Sequence, residues 1–186
     1  MKYTDLMIDI ETLGRTPGVA VIQIAAVPFN INTGEVSTNT FRMSIGKGPQ
    51  IKAGYQWDVN TIKWWEKENP KLFKKLSNSK NHYVKVAVEF QKWFRSLPDN
   101  QNIRVWGNSN RFDLGIIEGW YAKSIGHKFQ PFWNTWLEND CRTLSNLKPE
   151  IKRNLKFIGT KHDAIDDCKH QIKYCHQTIK SLKIKL

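Results

Sequence analysis

The 186-residue chain predicts an α/β layer fold, with a mixed five-stranded central sheet and helices on both faces. Three features carry this reading. Strand-length apolar runs rich in β-branched residues crowd the first 44 positions, short strands alternate with helical stretches from residue 83 onward, and the chain finishes on a long amphipathic stretch. The apolar fraction of 40% supplies a core that needs no disulfide.

In chain order, residues 5–10 read as a strand whose apolar pattern is interrupted by Asp9. Gly14, Pro17 and Gly18 then mark a turn. Residues 19–29 are a nearly continuous apolar run suited to a central strand, and Asn32-Thr33-Gly34 turns it into a third strand over 38–44. The pattern lapses between Gly46 and Gly54, which predicts a loop. Asp58 or Asn60 caps a helix carrying Ile62, Trp64 and Trp65, broken at Asn69-Pro70 and resumed through Leu72, Phe73 and Leu76. Val86, Phe90, Trp93, Phe94 and Leu97 recur at helical spacing up to Pro98. A strand over 103–107, a helix over 113–124 and a strand over 139–143 follow. Ile165, Cys168, Ile172, Cys175 and Ile179 give the last helix, over 163–182, its apolar stripe. A single domain over 1–186 accommodates these elements.

Lys and Arg number 29 against 17 Asp and Glu, a net charge of +12. Residues 47–92 and 148–186 each hold ten basic and four acidic side chains, so these two segments account for the whole excess. A polyanionic partner is the reading that such a charge favours. Cys141, Cys168 and Cys175 are odd in number and form no CxxC pair, which argues against a disulfide framework or a zinc site and for a cytoplasmic location. No apolar run approaches the roughly 18 residues of a membrane span.

The acids form a more specific pattern. Asp9 and Glu11 leave the same face of their strand, where like charges repel unless a cation lies between them. Asp113 follows a strand and opens a helix; it is either a first-turn acid favoured by the macrodipole or a group at the ligand-binding end of a sheet strand. His162 and Asp167 diverge by about 140° if both are helical and converge only if His162 precedes the helix, with Asp163 as its cap. Asp166 competes with Asp167 for the same role. Four carboxylates and one histidine on a basic chain suit two hard divalent cations, Mg²⁺ or Mn²⁺ rather than Zn²⁺.

Asp9-Ile10-Glu11-Thr12, Asp113 at the end of Gly107-Asn108-Ser109-Asn110-Arg111-Phe112-Asp113, and His162 with Asp167 resemble, in that order, the three motifs of the DEDDh 3′–5′ exonucleases of the ribonuclease H-like fold. Asp9 to Gly14, Thr61-Ile62-Lys63-Trp64-Trp65, Phe132-Trp133-Asn134 and Asp140-Cys141-Arg142-Thr143 are similar to the branch of phage exonuclease A, exonuclease VIII and RNase AS. The resemblance spans nearly the whole chain. It implies hydrolysis of single-stranded DNA or RNA from the 3′ end to nucleoside 5′-monophosphates, with DNA favoured. Two Mg²⁺ or Mn²⁺ ions would be held by Asp9, Glu11, Asp113 and Asp167, with His162 as general base. Thr12, Leu13 and Gly14 would meet the terminal nucleotide, Leu13 as an apolar wedge; Asn108 is a candidate substrate contact, and Arg142 is either a partner of the nearby Asp140 or a phosphate contact. Trp64 and Trp65 point about 100° apart on a helix, so one packs and the other is free to stack on a base. Lys169, Lys173 and Lys180 read as a solvated helix face, and a dimer is compatible with the family. The competing readings are an exoribonuclease and a non-catalytic nucleic-acid binder on the same fold.

Overall fold

The computed structural model describes residues 2–126 and 131–186. β1 (Asp5–Thr12), β2 (Val21–Phe29) and β3 (Phe41–Ser44) open the chain as an antiparallel meander. After α1 (Lys47–Lys52), α2 (Val59–Glu68), α3 (Pro70–Ser77) and α4 (Tyr83–Arg95), β4 (Arg104–Gly107) joins parallel to β1. α5 (Asp113–Ile125) leads to β5 (Glu138–Asp140), parallel to β4; α6 (Cys141–Asn146), α7 (Pro149–Asn154) and α8 (Ala164–Leu182) end the chain. The sheet order is β3-β2-β1-β4-β5. No helix among the described residues is long and apolar enough to cross a membrane.

β1 is the central strand, buried along its whole length. Its alternation sorts side chains between two cores. Leu6, Ile8 and Ile10 join the layer formed with α3, α4 and α5, while Met7 joins Ala25 and Val27 of β2 under Ile165, Cys168, Ile172 and Cys175 of α8. Asp9 and Glu11 share the parity of Met7 and therefore face α8. That parity places the acids against the last helix of the chain.

Local chemistry sets the helix boundaries. The Asp58 carboxylate accepts from the backbone N–H groups of Asn60 and Thr61 to start α2, and Asn69 caps α3 with Pro70 in its first turn. The expected loop over 46–54 instead contains α1. Its six residues are too few for an apolar period, and they are held by tertiary bonds: the buried Gln50 amide accepts from Val21 N at 3.0 Å and Trp120 Nε1 at 2.8 Å and donates to Val21 O at 2.8 Å. The strand expected over 139–143 stops at Asp140, because this carboxylate accepts from Thr143 N at 2.7 Å and starts α6. The third strand starts at Phe41 rather than 38, and α7, which buries no residue, has no apolar period, its signals being Pro149 and Glu150 at the start and Lys152 and Arg153 at the end.

Away from this end of the sheet, the Asp5 carboxylate is a structural hub with no exposed surface. It accepts from Arg104 Nε at 2.7 Å and NH2 at 3.0 Å, Trp106 Nε1 at 2.9 Å, Ile31 N at 3.1 Å and Thr4 Oγ1 at 2.7 Å. One side chain thus ties β1 to β4 and to the turn after β2. Removing it leaves a guanidinium and an indole N–H without their acceptor. Asp5→Ala is therefore expected to cost about 3–5 kcal/mol in urea unfolding; a loss under about 1 kcal/mol contradicts this account.

Candidate active site

The acids gather at the carboxyl ends of β1 and β4. Asp9 and Glu11 arrive from β1. β4 ends at Gly107, where a Cβ would come within 3.0 Å of Asp113 Cβ, so a glycine there allows α5 to start close behind the strand. Asp113 is buried in the first turn of α5, and its Oδ2 accepts from Ser109 N at 2.9 Å.

The third contribution comes from the head of α8. Asp163 caps the helix and is ion-paired with Arg42 of β3, while the next residue, Ala164, donates its N–H to Gln23 Oε1 on β2 at 2.9 Å. His162, just outside the helix, has a left-handed φ of 65°, and its backbone N–H donates to Asp167 Oδ2 at 2.8 Å. The neighbouring Asp166 is drawn the other way, accepting from Thr160 N at 2.9 Å. Of these two adjacent acids, Asp167 lines the cleft and Asp166 does not.

Asp9, Glu11, Asp113, His162 and Asp167 line one cleft of about 610 Å³. Thr12, Gly14, Trp64, Trp65, Asn108 and Arg142 line it as well. The two tryptophans divide as their spacing implies. Trp65 is buried, with Nε1 donating to Thr12 O at 3.0 Å; Trp64 is 42% exposed, its ring edge-on to the His162 imidazole at 4.8 Å between centroids. Glu68 Oε1 lies 4.0 Å from His162 Nε2. Asn108 Oδ1 accepts from Tyr174 OH at 2.9 Å, and the exposed Arg142 is held by its backbone N–H on Asn108 O at 3.1 Å.

Leu13 departs from expectation. Its side chain is fully buried and belongs to the core of Leu6, Ile8 and Ile10, so it presents no wedge to the cleft. The ladder is irregular here, Glu11 pairing with Gln23 but Thr12 with Val21, and Leu13 follows the end of β1 with its N–H on Ala20 O at 2.9 Å. Arg15, Asn60, Thr61 and Gln171 also line the cleft and were not singled out from the sequence. Only Gln171 had a usable signal, standing four residues beyond Asp167 on the same helix face.

The electrostatics are those of concentrated, uncompensated negative charge. Burial first, then Asp113 and Asp167, push the Asp9 pKa well above the usual carboxylate range; burial, Asp9 and Asp167 do the same to Glu11. Burial also raises Asp113 to about 7 and Asp167 to about 6. Among the described residues no Lys or Arg forms a salt bridge with any of the four acids. One donor atom each from Glu11, His162 and Asp167 lie within 4.8 Å of one another, with Asp9 and Asp113 in the same wall. Hard oxygen donors with one imidazole, with no basic side chain salt-bridged to the four acids among the described residues, fit a divalent cation of the Mg²⁺ or Mn²⁺ type.

Comparison with known proteins shows the fold and the family. No curated protein matches the chain by sequence. Among solved structures, S. pombe Pop2p in its Mg²⁺- and Mn²⁺-bound form superposes with a TM-score of 0.65 at 14% identity, over 96% of this chain and 83% of that one. A 3′-exonuclease described by its 3′-end-specific recognition of a histone mRNA stem-loop gives 0.62 at 12% identity, over 96% and 83%. E. coli exonuclease I in complex with a dA13 oligonucleotide gives 0.58 at 15% identity, over 95% of this chain but 40% of that one. These likenesses share the α/β ribonuclease H-like fold. The model of the 3′–5′ exoribonuclease Rv2179c-like domain matches residues 4–179. The chain therefore belongs to the Rv2179c-like family, as a DEDDh 3′–5′ exonuclease of the ribonuclease H-like fold.

Proposed function

We propose that the protein removes nucleotides from the 3′ end of single-stranded RNA, using two divalent cations and His162 as general base. The observation that carries this reading is the convergence of three buried carboxylates, Asp9, Glu11 and Asp113, and the half-buried Asp167, with no salt bridge to a basic side chain among the described residues, beside a half-exposed histidine. Asp9, Glu11, Asp113 and Asp167 would hold the cations. Bound there, Mg²⁺ or Mn²⁺ would stabilise charge on the attacking and leaving oxygens of the phosphodiester. His162 takes a proton from the attacking water; the P–O3′ bond breaks, releasing a nucleoside 5′-monophosphate and leaving a 3′-hydroxyl on the shortened strand. The exposed face of Trp64 offers the last base a stacking surface next to His162. Thr12, Gly14, Asn108 and Arg142 line the path of the terminal nucleotide. The sequence alone leans toward DNA; the exoribonuclease description of the matching family favours RNA.

Three outcomes test the reading. Asp9→Asn, Asp113→Asn and Asp167→Asn should each lower hydrolysis by about a thousandfold or more. Saturating Mn²⁺ should raise the melting temperature of the wild type by several degrees. Asp9→Asn should abolish that rise while leaving the metal-free protein at least as stable, since it removes a buried like charge.

Substrate choice is read by offering 3′-labelled RNA and DNA of equal length and sequence in one reaction. Mononucleotides should leave the RNA faster; faster release from DNA reverses the assignment.

Burial holds the His162 pKa below its ordinary 6.5, with Glu68 opposing. A base works when unprotonated, so at saturating Mn²⁺ kcat/KM should rise with pH along a limb centred below 6.5. His162→Asn should remove the limb; a limb unchanged in that variant assigns the proton transfer elsewhere.

A further inference from the structure

Gln171 of α8 lines the cleft and is only 5% exposed. Its Nε2 donates to Asp9 Oδ1 at 2.6 Å, while its own Oε1 is buried with no hydrogen-bond partner. A buried carbonyl oxygen without a donor is costly, and an apolar side chain of the same length would avoid the cost. The amide is matched instead to its neighbour. A lysine or arginine at this position would neutralise Asp9 and compete with a cation, and an acid would add a fifth like charge. An amide N–H holds the carboxylate in place and leaves its charge available.

The partner acid has a similar neighbour. Gln23 of β2 stands in register opposite Glu11, accepts from Ala164 N at 2.9 Å and leaves its Nε2 buried without an acceptor. Asp9 and Glu11 thus each have a half-satisfied amide nearby, and of the two amides only Gln171 hydrogen-bonds its acid directly.

We propose that Gln171 is a positioning residue for the cation site: from α8 it aims the Asp9 carboxylate and so sets divalent-ion affinity without being a ligand. This rests on the reading of Asp9 as a cation ligand. The test is calorimetric titration of the purified full chain with Mn²⁺, alongside melting curves of the metal-free protein. Gln171→Met should raise the Mn²⁺ dissociation constant by about 10–100-fold, with a metal-free melting temperature equal to the wild type's or higher. Its hydrolysis should recover toward the wild-type kcat as Mn²⁺ is raised. Gln171→Asn, one methylene too short to reach Asp9, should weaken Mn²⁺ binding likewise and carries the measurement if the methionine variant does not fold. Thr178→Val, which deletes another buried polar contact of α8 at 2.8 Å to Tyr174 O, should leave Mn²⁺ affinity unchanged. Mn²⁺ binding within about twofold of wild type in both Gln171 variants, or an equal loss in Thr178→Val, overturns the proposal. A wild type that takes up no Mn²⁺ overturns the cation reading, and this one with it.

Discussion

Negative charge on the buried face of a central strand is the constraint around which this molecule is arranged. β1 is paired on both edges and covered on both faces, so acids on it have no route to bulk water except at its carboxyl end. Burying carboxylates this way is unfavourable in itself. The fold answers differently at the two ends of the strand. Asp5 is given a guanidinium, an indole and a backbone N–H, and becomes a structural joint. Asp9 receives one amide and Glu11 faces the cleft, so both keep oxygens available to a ligand.

The rest of the site follows from where that uncompensated charge lies. α8 brings a carboxylate, an amide and the loop that carries His162, all held on β2 and β3 through Gln23 and Arg42. α5 adds Asp113 close behind β4, with Gly107 allowing the approach. Rigid elements therefore supply the acids, whereas the histidine sits on a connecting segment in a left-handed conformation.

Much of this was readable before any coordinates. Two-residue periodicity places Asp9 and Glu11 on one face, and capping logic places His162 ahead of its helix with Asp163 as the cap, as found. The choice between Asp166 and Asp167 rested on family spacing alone; the structure separates them through a hydrogen bond from Thr160 N that the sequence does not encode visibly. The family likeness alone puts Leu13 at the terminal nucleotide, and nothing local in Glu11-Thr12-Leu13 announces that its side chain packs into the core instead. α1 was missed because its stability comes from Gln50 reaching a strand 29 residues earlier, not from local periodicity.

The distance in sequence between the two halves of the cleft has a consequence for how the protein comes into being. Gln171 and Asp9, in direct contact, are 162 residues apart, and His162 and Asp167 belong to the same late segment. Synthesis proceeds from the amino terminus, so β1 and its acids exist long before α8 does. Until that helix docks, the cleft lacks His162, Asp167 and Gln171. The cleft is therefore complete only when the last long helix closes over the first strand.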